Sequence, residues 1–429
     1  MDVKILPPFM QSAGRIYQEI QLPQGDIVAF TLSDGCQLIY CFSDKTPNHV
    51  YFKAFCRGGN RTLAMTDFHT LHAAISIADE SGVQGLPPDR LAQAFRHTPF
   101  CLATFFDEAH QGIMGSCQST YLPQLLHLFR LKLSQPRICP EVLAHYQHAM
   151  LQRLKTPSKA KEFDRLVAQS RHLSHFATCD SAENINALSA ERLLQAYQHY
   201  LGGQTDFTYL IVGDIEKSQV MKLAERYLAN LVAKRKRQPL PITPAIVPNS
   251  PIFMQGNEQN RSEVALYFLC DEIWQPQQVY LLELLAEIVE KQLSYHLKAQ
   301  ESQLHGLEMV ITQAVEHPQI EGKLHFSCPP DCHARLLEAV HQWFDEFIHK
   351  GVEPMWIATT LIQKNQQVAR QFDSLLGLFS LLDESYTQTQ SEMLMYPDLY
   401  AKTVSKAKLD DLAGKLFCRQ ARFEAVFMP

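Results

Sequence analysis

The residues of this chain that could do chemistry are a few histidines, cysteines and carboxylates at helical or turn spacing. His69 and His72 stand three apart in DFHTLHAAISIADES, whose apolar spacing predicts a helix from about Asp67 to Glu80. Two imidazoles near one helix face, with Glu80 beyond them, are raw material for a metal site, but no third ligand is marked out. His72 also shares its face with Phe68, Leu71 and Ile75, so a half-buried, hydrogen-bonded histidine is the expected role. Cys328, Cys332 and His333, in CPPDCH, form the second cluster. It lacks a distant C-x-x-C or H-x-x-x-H to complete four ligands, and structural cysteines are expected there. G-x-S-x-G, Walker A and dinucleotide fingerprints are all missing, so the common serine-hydrolase, P-loop and Rossmann chemistries have no support.

The elements that must position these residues belong to a large folded chain. At 429 residues it exceeds one ordinary core, and 46% hydrophobic with 20% charged residues is the balance of a globular protein. A net charge of −6 argues against nucleic-acid binding, and the one basic run, Lys234 to Arg237, suits a solvated helix end. No apolar run approaches the roughly 20 residues of a membrane span. Eleven cysteines, scattered singly, read as small buried hydrophobes of a reduced protein. With no visible leader, they favour the cytoplasm; a chain cut from a longer secreted precursor would be periplasmic instead.

Phe207 to Val212 is a short apolar run stopped by Gly213-Asp214, and Val220, Leu223, Ala224, Tyr227, Leu228 and Leu231 follow at helical spacing. This strand, turn and helix closes a first set of elements. Before it come strands at Ile27 to Leu32, Gln37 to Phe42, Val50 to Cys56, Cys101 to Phe106 and Gly112 to Cys117, then a helical stretch from Leu122 to Tyr200. The proline-rich segment 238–251 reads as a linker. Beyond it the order repeats: an alternating strand at Val264 to Cys270, a long helix from Val279 to Leu297, strands near Leu307 to Val315 and Lys323 to Cys328, and a helix N-capped at Asp331 and closed by Gly351. Helices at 354–372 and 375–382 and a strand at Arg422 to Phe427 follow. The expected fold is therefore α+β: two tandem homologous domains, 1–237 (with a linker tail at 1–25) and 252–429, each a mainly antiparallel sheet covered by helices.

The order of FTYLIVGDIE with its YLANL helix end, YFKAFCRGG with the helix and SGVQGL turn after it, SEVALYFLCD, and LLELLAEIVEKQLSYHLKAQ resembles the insulinase and pitrilysin type of zinc metallopeptidase, which includes the mitochondrial processing peptidases. The resemblance covers essentially the whole chain and is closest to the C-terminal, non-zinc half of bacterial members. It implies paired α+β domains that close with a zinc-bearing half around a peptide. That zinc site is an inverted H-x-x-E-H on a helix, with a downstream Glu. The matching helix here sets His72, Ile75 and Ser76 where His, Glu and His are needed, and neither isoleucine nor serine can replace the base or the ligand. No zinc is expected in this chain; it is expected in the partner half. In active relatives the non-zinc half contributes an Arg and a Tyr seven apart after the long helix. The matching positions are Lys298 and His305, which would contact substrate in altered form. The resemblance thus implies a catalytically silent half whose partners are a zinc-bearing half, fused or separate, and a peptide, with a dimer as a further expectation. The alternative is a proteolytically inactive scaffold or peptide-binding protein of the same fold.

Overall fold

The computed structural model describes residues 6, 13–23, 27–63, 65–96, 100–156, 158–173, 181–202, 206–231, 244–300, 304–315 and 317–429. The chain divides into two compact units, one of residues 1–157, 178–241 and 371–383, the other of residues 158–177, 242–370 and 384–429. Each is a sheet covered by helices.

The first unit holds β1 (Ile16–Gln21), β2 (Ile27–Leu32), β3 (Gln37–Phe42), β4 (His49–Arg57), β5 (Phe100–Phe106), β6 (His110–Gln118) and β7 (Thr208–Gly213). They form a seven-stranded sheet in the order β1-β2-β3-β7-β4-β6-β5, antiparallel except for the β3–β7 pair. Its helices are α1 (Met65–Glu80), α2 (Pro88–Phe95), α3 (Leu122–Ser134), α4 (Pro140–Leu154), α6 (Ala182–Asn186), α7 (Ala190–Tyr197) and α8 (Lys217–Tyr227), whereas α5 (Lys159–Ser170) belongs to the second unit. Central β7 is an unbroken apolar run because both its faces are covered. It ends at Gly213, where any Cβ would lie 2.2 Å from the His49 carbonyl oxygen, so only glycine fits. Asp214 then accepts the Asn48 N–H at 2.7 Å and fixes the turn. Val220, Leu223, Ala224 and Tyr227 of α8 face the core with Phe129 of α3 and Phe52 of β4. Each such large side chain contributes about 1.5–3 kcal/mol.

The second unit pairs β8 (Ile252–Gln255), β9 (Ser262–Asp271), β10 (His305–Thr312), β11 (Gln319–Cys328) and β12 (Arg422–Met428) in the order β10-β11-β9-β12-β8, antiparallel except for β12–β8. Against its core face lie α9 (Gln278–Gln300), α10 (His333–Lys350) and α14 (Lys406–Leu416), while α11 (Pro354–Gln371) and α13 (Pro397–Thr403) complete its helices; α12 (Leu375–Thr389) belongs to the first unit up to Asp383 and to the second from Glu384. Phe268, Phe344 and Phe417 meet ring to ring at the centre of this core.

The second face of each sheet is covered by a helix encoded in the other half of the sequence. On sheet 1, Tyr51 stacks on Phe379 of α12 with ring centroids 5.1 Å apart, and the buried Lys53 ammonium sits 2.5 Å from Asp383 and 4.7 Å from the Phe105 ring centroid. On sheet 2, Phe163 of α5 stacks on Phe427 at 5.1 Å, and Arg171 just past α5 pairs with Glu321 at 2.9 Å while lying 4.5 Å from the Tyr267 ring. The same device, an aromatic stack plus a buried cation over a ring, is used twice.

Several local expectations change. Ile16–Gln21 adds a strand before Ile27, on an exposed edge where the apolar alternation is weak. β8, α2 and α14 are further elements that the periodicity did not mark. Helix α10 starts at His333, with Cys332 rather than Asp331 at its N-cap and no side-chain cap bond. Gly351 closes that helix with φ 68°, as expected. No disulfide joins the described cysteines.

Candidate functional site

Helix α1 is anchored through Leu71, Ala74, Ile75 and Ala78, which pack with Leu143 of α4 and Leu193 and Tyr197 of α7. Ile75 is therefore part of the core, and Ser76 faces solvent. His72 is half-buried; its Nε2 lies 2.8 Å from Asn60 Oδ1, and its ring centroid is 4.4 Å from that of Phe68. Burial first, and the neighbouring His69 second, lower its pKa, so the neutral imidazole is favoured. This is the satisfied histidine expected from its helix face. His69 meets Phe68 edge to face, at a ring distance of 5.6 Å. Glu80 is eleven residues further along, roughly 16 Å of helix rise, too far to share a metal with His69. Among the described residues no three His, Cys, Asp or Glu side chains gather as metal ligands. The family's zinc does not fit α1: Asn60 engages one candidate ligand, and the other two positions carry a core methyl group and a hydroxyl.

Beside Ser76, a groove of about 190 Å³ runs between α1 and α4, lined by Glu80, His145 and Arg153 among others. Its mixed charges were not singled out by the sequence, since α4 alone shows only a polar helix face.

In CPPDCH, Cys328 is buried at the end of β11, and Cys332 Sγ is 3.7 Å from Arg335 Nη2. His333 Nδ1 lies 2.6 Å from the Pro330 carbonyl oxygen, which fixes Nδ1–H as donor. All three residues serve the join between β11 and α10.

Lys298 and His305 are both exposed on the second unit: Lys298 in the last turn of α9, His305 as the first residue of β10, opposite Ser327. Residues 301–303 between them lie outside the described residues. The structure places an ammonium at a helix C-terminus and an imidazole at a strand start, both exposed.

Sequence reasoning passed over the ionic groups that shape the two sheets. Lys53 was legible as a lone charge inside the apolar run YFKAFC, a pattern that demands a buried partner. Its partner, Asp383, lies 330 positions away, beyond any local signal.

Comparison with known proteins places these features. The family model for the peptidase M16 inactive domain matches residues 187–355. The probable zinc protease PqqL of Haemophilus influenzae is 35% identical over 428 residues, covering 99% of this chain and 46% of that protein. The crystal structure of the periplasmic protease PqqL from Escherichia coli superposes with a TM-score of 0.86 at 17% identity, over 100% of this chain and 48% of that one. The first half of the same protease matches with a TM-score of 0.73 at 13% identity, over 95% of this chain and 93% of that one. The chain spans less than half the length of the curated relatives it matches, 46% and 38%. From its sequence similarity to PqqL, its two helix-covered sheets and its match to the inactive-domain model, the chain belongs to the M16 metallopeptidase family, as a homologue of the PqqL zinc proteases.

Proposed function

We propose that this chain is the non-catalytic half of an M16-type zinc peptidase, enclosing peptide substrate together with a zinc-bearing half that is either fused to it or a separate subunit. The observation that carries the reading is α1: in two helix-covered sheets of the M16 type, the helix matching the zinc helix holds Ile75 and Ser76 in place of base and ligand. The comparisons support the assignment to the non-zinc half. If the best superposition on whole Escherichia coli PqqL lay in its first half, that half alone would score as well, yet it scores 0.73 against 0.86. In this reading Lys298 and His305 contact the bound peptide, Lys298 attracting carbonyl or carboxylate oxygen and His305 donating to an oxyanion. Both are exposed at the end of α9, Lys298 in its last turn and His305 at the start of the strand that follows, as such contacts need.

The test is peptide cleavage by this chain combined with a zinc-bearing PqqL-type half. Lys298→Ala and His305→Ala are each expected to lower kcat/KM by about tenfold, the worth of one charge-assisted hydrogen bond. Lys298→Arg is expected to keep or raise it, because the planar fork is restored. Unchanged cleavage in both alanine variants would favour the scaffold reading, which the departure of these two positions from Arg and Tyr already supports.

A further inference from the structure

In each sheet a carboxylate from a long helix earlier in the chain accepts an N–H of an edge strand. In unit 1, Asp79 Oδ2 of α1 accepts the Thr104 N–H of β5 at 2.8 Å. In unit 2, Glu290 Oε2 of α9 accepts the Met309 N–H of β10 at 3.0 Å. Among the described residues β5 pairs only with β6 and β10 only with β11, so both strands are edges there. In an antiparallel pair, alternate residues turn their N–H and C=O groups away from the partner strand, and on an edge those groups form an open row that templates an extended chain. Thr104 and Met309 sit mid-strand in that row. A strand added there must place a carbonyl oxygen where a carboxylate oxygen already sits, and must displace a charge-assisted bond to do so.

The two caps differ in how they are held. Asp79 also accepts the Thr104 hydroxyl at 2.7 Å and pairs with the buried Lys132 ammonium at 2.5 Å, so moving it would strand a buried cation. Glu290 is half-buried and, among the described residues, forms no ion pair. Its bond to Met309 is released without leaving a buried charge alone. β10 also begins at His305, continues through Gly306 in the left-handed region with open space where a Cβ would be, and carries Val310 exposed.

We propose that Glu290 is a gate on β10: it withholds the strand from pairing with an extended peptide, and swinging away opens a row of main-chain donors and acceptors that runs on from His305. Asp79, locked by Lys132, keeps β5 closed. The inference rests on the proposed peptide-enclosing function for its choice of occupant. The recognising chemistry is backbone C=O and N–H in extended conformation, with side-chain pockets secondary.

The experiment uses the full chain and a fluorescein-labelled twelve-residue peptide of alternating Thr and Val with terminal lysines. Affinity is read by anisotropy and the Met309 amide by hydrogen exchange. Glu290→Ala is expected to bind the probe about fivefold more tightly than the native chain, since one competing hydrogen bond is gone. Its Met309 amide should exchange faster when free and regain protection with peptide. Glu290→Gln, which keeps an oxygen acceptor without the charge, is expected to fall between. Equal affinity in all three proteins, or a Met309 amide that peptide leaves unprotected, overturns the gate. If Glu290→Ala gains the peptide while no zinc-bearing half ever yields cleavage, the gate stands and the enclosing function falls.

Discussion

His72 shows how one residue type changes meaning with its neighbours. In H-x-x-E-H it would be a ligand; here Asn60 holds its Nε2 and Phe68 covers its ring. Its pKa is lowered from the ordinary 6.5, mainly by burial. A histidine with a depressed folded-state pKa binds its proton more readily when unfolded, so it stabilises the fold above pH 6.5, and that contribution is lost as pH falls through the lowered value. Urea midpoints between pH 7.5 and pH 5 should therefore decline, and His72→Gln, which keeps a donor for Asn60 without titrating, should decline less. An identical pH slope in the variant would show that His72 is not the titrating group. The departure from H-x-x-E-H was legible in the sequence because it depends on residue type alone: an Ile and a Ser at fixed helical offsets. The carboxylate caps on β5 and β10 were not legible, because which backbone N–H lacks a partner depends on which strand ends a sheet.

Among elements, those with strong apolar periodicity were read closely: β2 and β3 span the expected residues, and β4, α1, α9 and β12 shift by at most three at either end. Weakly patterned elements were missed, as with the exposed edge strand β1 and the short β8. Neither could the sequence show which helix covers which sheet. The first turns of α12 cover sheet 1 through Phe379 and Asp383, and α5 covers sheet 2 through Phe163. Helical periodicity marks an apolar face without naming its partner. Lys53 is buried with its ammonium on Asp383, so Asp383→Ala leaves an uncompensated cation and should cost about 3 kcal/mol. Replacing both, Lys53→Met with Asp383→Leu, should recover most of that loss, because an apolar pair of similar volume fills the same space. Chemical denaturation of the two single variants and the double variant checks this; additive losses would mean that the pair does not interact as described.

At the scale of the whole molecule, the chain repeats one plan: a sheet, a helix running beside its edge strand, and a borrowed helix on its second face. The recurrence of strand, long helix and strand pair around the proline-rich segment was visible in sequence as repeated apolar spacing, whereas the exchange of residues 158–177 and 371–383 between the two units was not. What a two-sheet M16 plan without H-x-x-E-H means for activity is decided most directly by one paired measurement: zinc content and peptide hydrolysis of the isolated chain, and of the chain mixed with a separately expressed zinc-bearing half. The account predicts that the isolated chain holds no stoichiometric zinc and cleaves nothing, and that the mixture cleaves faster than the zinc-bearing half alone. One zinc per isolated chain, with peptide cleavage that a chelator abolishes, would contradict it.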